Sequence, residues 1–184
     1  MPAALLDVLA GVRERFPEVV SEPEEAFGET SIEVARTGLR DVVAYLRDEG
    51  PFELLADWSA VDYLGVEPPE RRFLCAAVLA SVRHPARVRV RVFIPQGDEH
   101  CPSLTGVWAG ADALEREMFD FFGIRFDGHP DLRRIFMPDE WDGHPQRKDY
   151  PLGGTDVAYR GAFVPPPDRR GQPSTTSGYP GRLS

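Results

Sequence analysis

The tightest constraint in this chain is the stretch ARVRVRVFIP, in which Val88, Val90 and Val92 alternate with Arg87, Arg89 and Arg91. Successive side chains of a strand point to opposite faces, so this period of two describes a sheet with one packed and one polar face. The strand spans Arg87–Ile94. Its arginine face fits a solvated or salt-bridged sheet surface, with the grip of an anionic ligand as the other use. Two more strand-like segments precede it, Phe52–Leu64 and Arg72–Arg83, with His84-Pro85 as the turn between the last two.

The remaining periodicity is helical. Residues 3–15 place Leu5, Leu6, Leu9 and Val12 on one side, and Pro17 stops the pattern. Ser31–Ala35 alternates as a short strand. A second helix begins at Thr37 with apolar Leu39, Val42, Val43 and Leu46, and Gly50-Pro51 closes it. A third runs from Asp112 to Phe122 and ends at Gly123. This order predicts an α+β fold with helices packed on one face of a mainly antiparallel sheet.

Residues 1–126 are expected to form that globular domain, helix 112–122 included. From residue 127 to 184 the character changes: nine of the eighteen prolines lie between Pro130 and Pro180, with no periodicity. Trp141, Tyr150, Tyr159, Phe163 and Tyr179 punctuate this region, and aromatics are favoured anchors of protein interfaces. It reads as an extended Pro-rich C-terminal arm that orders against a partner.

Composition excludes several functions. Two cysteines, Cys75 and Cys101, cannot ligate an iron–sulfur cluster by themselves, which takes four thiolates; both read as small buried hydrophobes. Residues 1–70 carry a net charge of −11 and the rest +2, an imbalance that argues against nucleic acid. The run Glu18, Glu22, Glu24, Glu25 and Glu29 reads as a solvated loop. No window reaches the roughly 18 apolar residues of a membrane span, and the first residues lack a basic leader. A cytoplasmic protein is expected, meeting a membrane only through partners.

The segment Leu114–Leu152 concentrates the unusual residues. On the third helix Leu114, Met118, Phe119, Phe121 and Phe122 make an apolar arc, with Arg116, Glu117 and Asp120 opposite; Arg116 and Asp120 have the spacing of an ion pair. Glu115 falls inside the arc. It fits either a capping box with Asp112 as N-cap or a buried pair with Arg133 or Arg134. Two Gly-His-Pro triplets follow, around His129 and His144, near Asp127, Asp131, Asp139 and Asp142. Their spacing suits turn-fixing histidines better than metal ligands, although a metal-dependent hydrolase built on them is the rival enzyme reading. Arg147-Lys148-Asp149-Tyr150 contains the only lysine of the chain, where either arginine-biased composition or a need for a compact ammonium applies.

Three motifs, EREMFDFFGI (115–124), GHPDLRRI (128–135) and GHPQRKDYPL (143–152), resemble in order the signature of the C subunit, or thirty-kilodalton subunit, of bacterial respiratory complex I (NADH:quinone oxidoreductase). LADWSAVDYL (55–64) resembles the family's second strand; Met118, Phe119 and Gln146 are mild departures. The resemblance covers residues 50–152. It marks Glu115, Arg116, Glu117, Asp120, Phe121, Phe122, His129, Arg133, Arg134, His144, Arg147, Lys148, Asp149 and Tyr150 as signature or interface positions. It implies a non-catalytic subunit of an oxidoreductase, holding no cofactor, metal or catalytic residue, with FMN and iron–sulfur clusters in partner subunits. The implied partners are subunits D, B and I, on the cytoplasmic side of the bacterial inner membrane. An equivalent subunit of a membrane-bound hydrogenase or ferredoxin-fed complex is the nearest alternative.

Overall fold

Val88, Val90 and Val92 are buried in a single apolar core, as their alternation requires. The computed structural model describes residues 3–151, 157–159 and 162–164. In chain order it has α1 (Ala3–Arg15), β1 (Glu24–Ala26), β2 (Glu29–Glu33), α2 (Leu39–Asp48), β3 (Leu54–Asp62), β4 (Phe73–Ala80), β5 (Arg87–Ile94), β6 (His100–Pro102), α3 (Ala111–Phe122), β7 (Arg125–Asp127), β8 (Val157–Tyr159) and β9 (Ala162–Val164). The first five strands form one sheet in the order β1-β2-β5-β4-β3, antiparallel except for β2 beside β5. The chain is thus the α+β fold that the element order predicts.

Register decides which face is which. Ile32, Val90, Ala77 and Trp58 align across four strands and are all buried. Leu39, Val42, Val43 and Leu46 of α2 and Met118 and Phe122 of α3 complete that core. Each such buried side chain contributes about 1.5–3 kcal/mol of transfer free energy, an upper figure because unfolded chains bury some surface already.

The opposite face carries the arginines of the ladder. Arg91 pairs with Glu24 at 2.7 Å and Arg89 with Glu29 at 2.6 Å. Arg71, ahead of β4, pairs with Glu33 at 2.7 Å and lies over the Phe93 ring. This corrects the expected solvated acidic loop. Glu24 and Glu29 belong to a hairpin joined to β5, because the ladder supplies the counter-charges that make an acidic strand tolerable. The second helix also starts later than expected: Arg36–Gly38 is a 3₁₀ turn and α2 opens at Leu39.

The chain divides into two compact units, Met1–Lys148 and Asp149–Ser184. The boundary expected after residue 126 therefore falls inside the first unit, and residues 127–148 belong with the sheet and helices. Within the second unit, β8 and β9 pair antiparallel as a hairpin, Val157 opposite Val164. Of the extended arm expected over residues 127–184, residues 152–156, 160–161 and 165–184, Tyr179 included, lie outside the described residues.

One ion pair sits on the inner face. Asp62 follows Trp58 and Ala60 in strand parity, and its side chain and that of Arg72 are 1% and 2% exposed. The guanidinium meets the carboxylate through Nε at 3.2 Å and Nη2 at 3.1 Å and stacks on Phe73. Removing one member strands the other in low dielectric. Arg72→Met is expected to lower unfolding free energy by about 3–5 kcal/mol in urea titrations; a loss below about 1 kcal/mol, the worth of a surface pair, would show the pair to be dispensable.

Candidate functional site: the C-terminal end of α3 and the loop that closes it

α3 ends at Gly123, whose φ of 76° is the left-handed conformation of a helix C-cap; its amide bonds the Phe119 carbonyl at 2.9 Å. The last carbonyls of a helix need outside donors. Residues 131–147 supply them. His144 donates from Nδ1 to the Asp120 carbonyl at 2.9 Å, Arg134 reaches the same carbonyl at 3.3 Å, and the Gln146 amide bonds the Phe121 carbonyl at 3.1 Å. The two side chains place donors at the negative end of the helix dipole. A Cβ on Gly123 would stand 2.6 Å from the His144 ring, so this packing requires glycine.

The Asp120 side chain binds the same loop from its centre. Its carboxylate is fully buried. Oδ2 accepts the consecutive amides of Ile135 (3.1 Å), Phe136 (2.8 Å) and Met137 (2.9 Å), and Oδ1 accepts Arg134 Nη1 at 2.7 Å. Arg134 continues to the carbonyls of Trp141 and Gly143, both at 3.0 Å. Burial alone would raise the pKa of this carboxyl, but the three amides and the guanidinium outweigh it and hold it below the usual carboxylate range. This corrects the expected Arg116–Asp120 pair. Arg116 lies 3.8 Å from Asp112 and donates to the carbonyls of Arg133 and Arg134, because Asp120 faces the loop and not water.

Glu115 also differs from both sequence readings. The N-cap is Gly110, without a side-chain cap, so Asp112 lies inside the first turn; Arg134 is committed to Asp120, and Arg133 pairs with Asp131 at 2.9 Å. The Glu115 carboxylate is buried in the core instead, accepting the Leu104 amide at 2.6 Å and the Ser103 hydroxyl at 2.7 Å. Burial pushes its carboxyl up, only partly offset by Ser103, the Leu104 amide and nearby His129. Glu117 is exposed.

The histidines act on backbone. The His129 side chain is buried; its Nδ1 accepts the Asp131 amide at 3.0 Å, which leaves Nε2 to donate to the Asp112 carbonyl at 3.2 Å. Among the described residues no group of three or more His, Cys, Asp or Glu is arranged to hold a metal. Cys75 and Cys101 are free thiols buried in the core. Farther along, Arg147 pairs with Glu99 at 2.9 Å, and the Lys148 amide bonds Asp62 at 2.9 Å while the residue itself stays exposed. Asp149 and Tyr150 open the second unit.

The structure thus gathers Asp120, Phe121, Arg116, Arg133, Arg134 and His144 around one loop, with Phe122 in the core beneath, and places Glu115 and His129 near the start of the same helix. Phe121 stacks on Phe136 with centroids 5.2 Å apart, and Phe136 and Ile135 remain exposed. Sequence reasoning missed Asp62, Arg72, Glu99 and Ser103. Strand parity with Trp58 was the available signal for Asp62; nothing local marked the others.

The two buried carboxylates of α3 predict opposite pH behaviour. Asp120 contributes stability that is fully present above its unfolded value, about 4, and is lost as pH falls through the lower folded value. Glu115 contributes stability present below about 4 and lost as pH rises through its raised folded value. In urea unfolding from pH 3 to 8, Asp120→Ala should lose about 3–5 kcal/mol at pH 7 and approach wild type in acid. Glu115→Gln, which keeps an acceptor for Leu104 and offers Ser103 a donor, should equal or exceed wild type at pH 7. Parallel pH curves for the two variants would contradict the assignment.

The chain is similar in sequence and in fold to known proteins. The family model described as respiratory-chain NADH dehydrogenase, 30 Kd subunit, matches residues 32–156. The NADH-quinone oxidoreductase C subunit of Acidothermus cellulolyticus is 45% identical over 170 residues, covering 90% of this chain and 86% of the relative. The corresponding C subunit of Mycolicibacterium smegmatis is 46% identical over 171 residues, covering 91% and 71%. Among solved structures, Nqo5, as the trypsin-resistant fragment 1–134, superposes with a TM-score of 0.61 at 32% identity over 70% of this chain and 99% of that one. A chain of an archaeal membrane-bound sulfane sulfur reductase shares the fold, with a TM-score of 0.67 at 22% identity over 80% of this chain and 85% of that one. With the helix, loop and charged positions in this order, the chain belongs to the family of the 30-kilodalton subunit of respiratory-chain NADH dehydrogenase.

Proposed function

We propose that this chain is a structural and assembly subunit in the hydrophilic arm of a proton-pumping NADH:quinone oxidoreductase, bracing its neighbours during electron transfer from NADH to quinone. In this reading it binds no cofactor and catalyses no step; FMN and iron–sulfur clusters belong to partner subunits. The observation that carries it is the Asp120 network. A buried carboxylate, three successive amides, Arg134 and His144 are all engaged in holding one surface loop in a single shape. That loop exposes Ile135 and Phe136, a pre-organised apolar contact of the kind that anchors interfaces.

The signature residues then divide the work. Asp120, Arg116, Arg134 and His144 shape the loop, Phe121 supports Phe136 from behind, and Arg147, Lys148, Asp149 and Tyr150 lead into the arm. The neighbours are the subunits corresponding to D, B and I, and the arm, residues 149–184, lies against them. No helix among the described residues is long and apolar enough to cross a membrane, which suits attachment to the cytoplasmic face of the inner membrane through partners.

The test is purification of the tagged chain from its own host after mild membrane extraction. The expected outcome is one large particle that contains flavin and iron and oxidises NADH with quinone. Recovery of the chain alone and soluble would refute the reading. A chain ending at Lys148 is expected to unfold cooperatively, yet to be missing from the particle; its normal incorporation would remove the arm's role.

A further inference from the structure

Three ends of the sheet converge at a place that the loop does not explain. The β1–β2 turn, the β4–β5 turn and the first residue of β3 share one end of the sheet, since Leu54 pairs with Ala80 and Ala80 with Arg87. Lys148, by contrast, meets Asp62 at the far end of β3, roughly 26 Å away at 3.3 Å per residue. At the near end three large apolar side chains stand in water: Phe27 fully exposed, Val82 at 75% and Leu54 at 48%. Between the turns runs an open groove of about 1230 Å³, lined by Phe27, Leu54, Val82, His84 and Arg87 among others.

Two independent features mark this groove as a contact. The turn Phe27-Gly28 has φ of 53° and 80°, the two left-handed positions of a tight hairpin. Gly28 suits such a position. Phe27 does not, because a bulky side chain belongs there least of all, and this one touches solvent. Backbone strain of this kind marks sites where something other than folding selects the residue. The second feature is charge. Arg87 makes no ion pair among the described residues, whereas Arg89 and Arg91 on the same strand each have a glutamate. Arg83, 81% exposed, is already paired with Glu53 at 3.2 Å, which leaves Arg87 as the guanidinium without an ion pair at this rim among the described residues.

We propose that this end of the sheet docks a segment of a neighbouring subunit that carries apolar side chains flanked by carboxylates. Phe27, Leu54 and Val82 take the apolar side chains and Arg87 takes a carboxylate. An anionic lipid surface fits less well, because it would press continuous negative charge on the whole rim, Glu25 included, whereas a protein segment can place a single carboxylate at Arg87. The proposal rests on the chain being an assembly subunit and adds a second contact, remote from the Asp120 loop.

The experiment uses the tagged full chain in its host, with Phe27→Asn and Arg87→Glu made separately. Asparagine accepts the left-handed conformation better than phenylalanine, so Phe27→Asn should melt at or above the wild-type temperature. Each variant should nevertheless lower the yield of assembled particle about tenfold or more, as loss of an interface anchor does. A photo-crosslinking residue at position 82 should join this chain to another subunit within the purified particle, at a peptide containing Asp or Glu. Wild-type recovery by both variants, or a crosslink confined to this chain, overturns the proposal while leaving the assembly role intact. Binding of the isolated chain to phosphatidylglycerol vesicles, abolished by Phe27→Asn, also overturns it, in favour of a membrane contact. If the wild-type chain itself fails to co-purify, the assembly reading fails first.

Discussion

The Asp120 carboxylate is the point on which the second half of the first unit depends. The apolar residues of this loop follow no period and form no stripe, so beyond Leu132 on the core and Phe136 on Phe121 its conformation comes from polar bonds. Three consecutive amides converging on one oxygen form an anion-binding concavity, and here the anion is a side chain of the same protein. The arrangement satisfies both partners, since the carboxylate replaces water for amides that a compact loop would otherwise leave unpaired. Arg134 neutralises the charge and spans the loop to Trp141 and Gly143.

The remaining ion pairs extend that logic toward the sheet. Arg147 on Glu99 and the Lys148 amide on Asp62 tie the end of the loop to the inner edge of the core. Asp62 is already paired with Arg72, and together these bonds hold its carboxyl below the usual range despite its burial. Buried pairs are poor net stabilisers compared with well-packed apolar groups. Their effect is positional: a carboxylate with directed partners specifies where a chain segment sits, which apolar packing alone does loosely. A loop that presents Ile135 and Phe136 to a partner benefits from that fixity, because less ordering remains to be done on binding.

What was legible in the sequence follows from the range of each force. Strand alternation in 87–94 and the helical spacing in 39–46 are local patterns imposed by the core, and both elements appear where those patterns placed them. Asp120 was not legible as a buried group. On the helix wheel it lies opposite the apolar arc, and the loop covering that side has no periodicity to announce itself. Arg134 is fourteen residues away, so no helical spacing links the two. Glu115 was recognisable as anomalous because it breaks the arc, but Ser103 and Leu104 come from an earlier segment that carries no matching signal. The acidic hairpin was hidden for a related reason: its strands are short and charged, and only the arginines of β5, far along the chain, give them a reason to pair.

Glu115 and Asp120 show how one helix serves both interior and surface. They are five residues apart, both fully buried, and their acidities move in opposite directions. The difference is the number and kind of donors. Glu115 has one amide and one hydroxyl, too little to offset desolvation, whereas Asp120 has three amides and a guanidinium, enough to exceed it. A carboxyl of the first sort is a local accessory to packing, and ionising it works against its burial. A carboxylate of the second sort organises the whole loop around it. The helix therefore joins a core that would fold with ordinary apolar residues to a surface loop that requires ionised Asp120, and its role in positioning that loop separates from its role in holding the domain together.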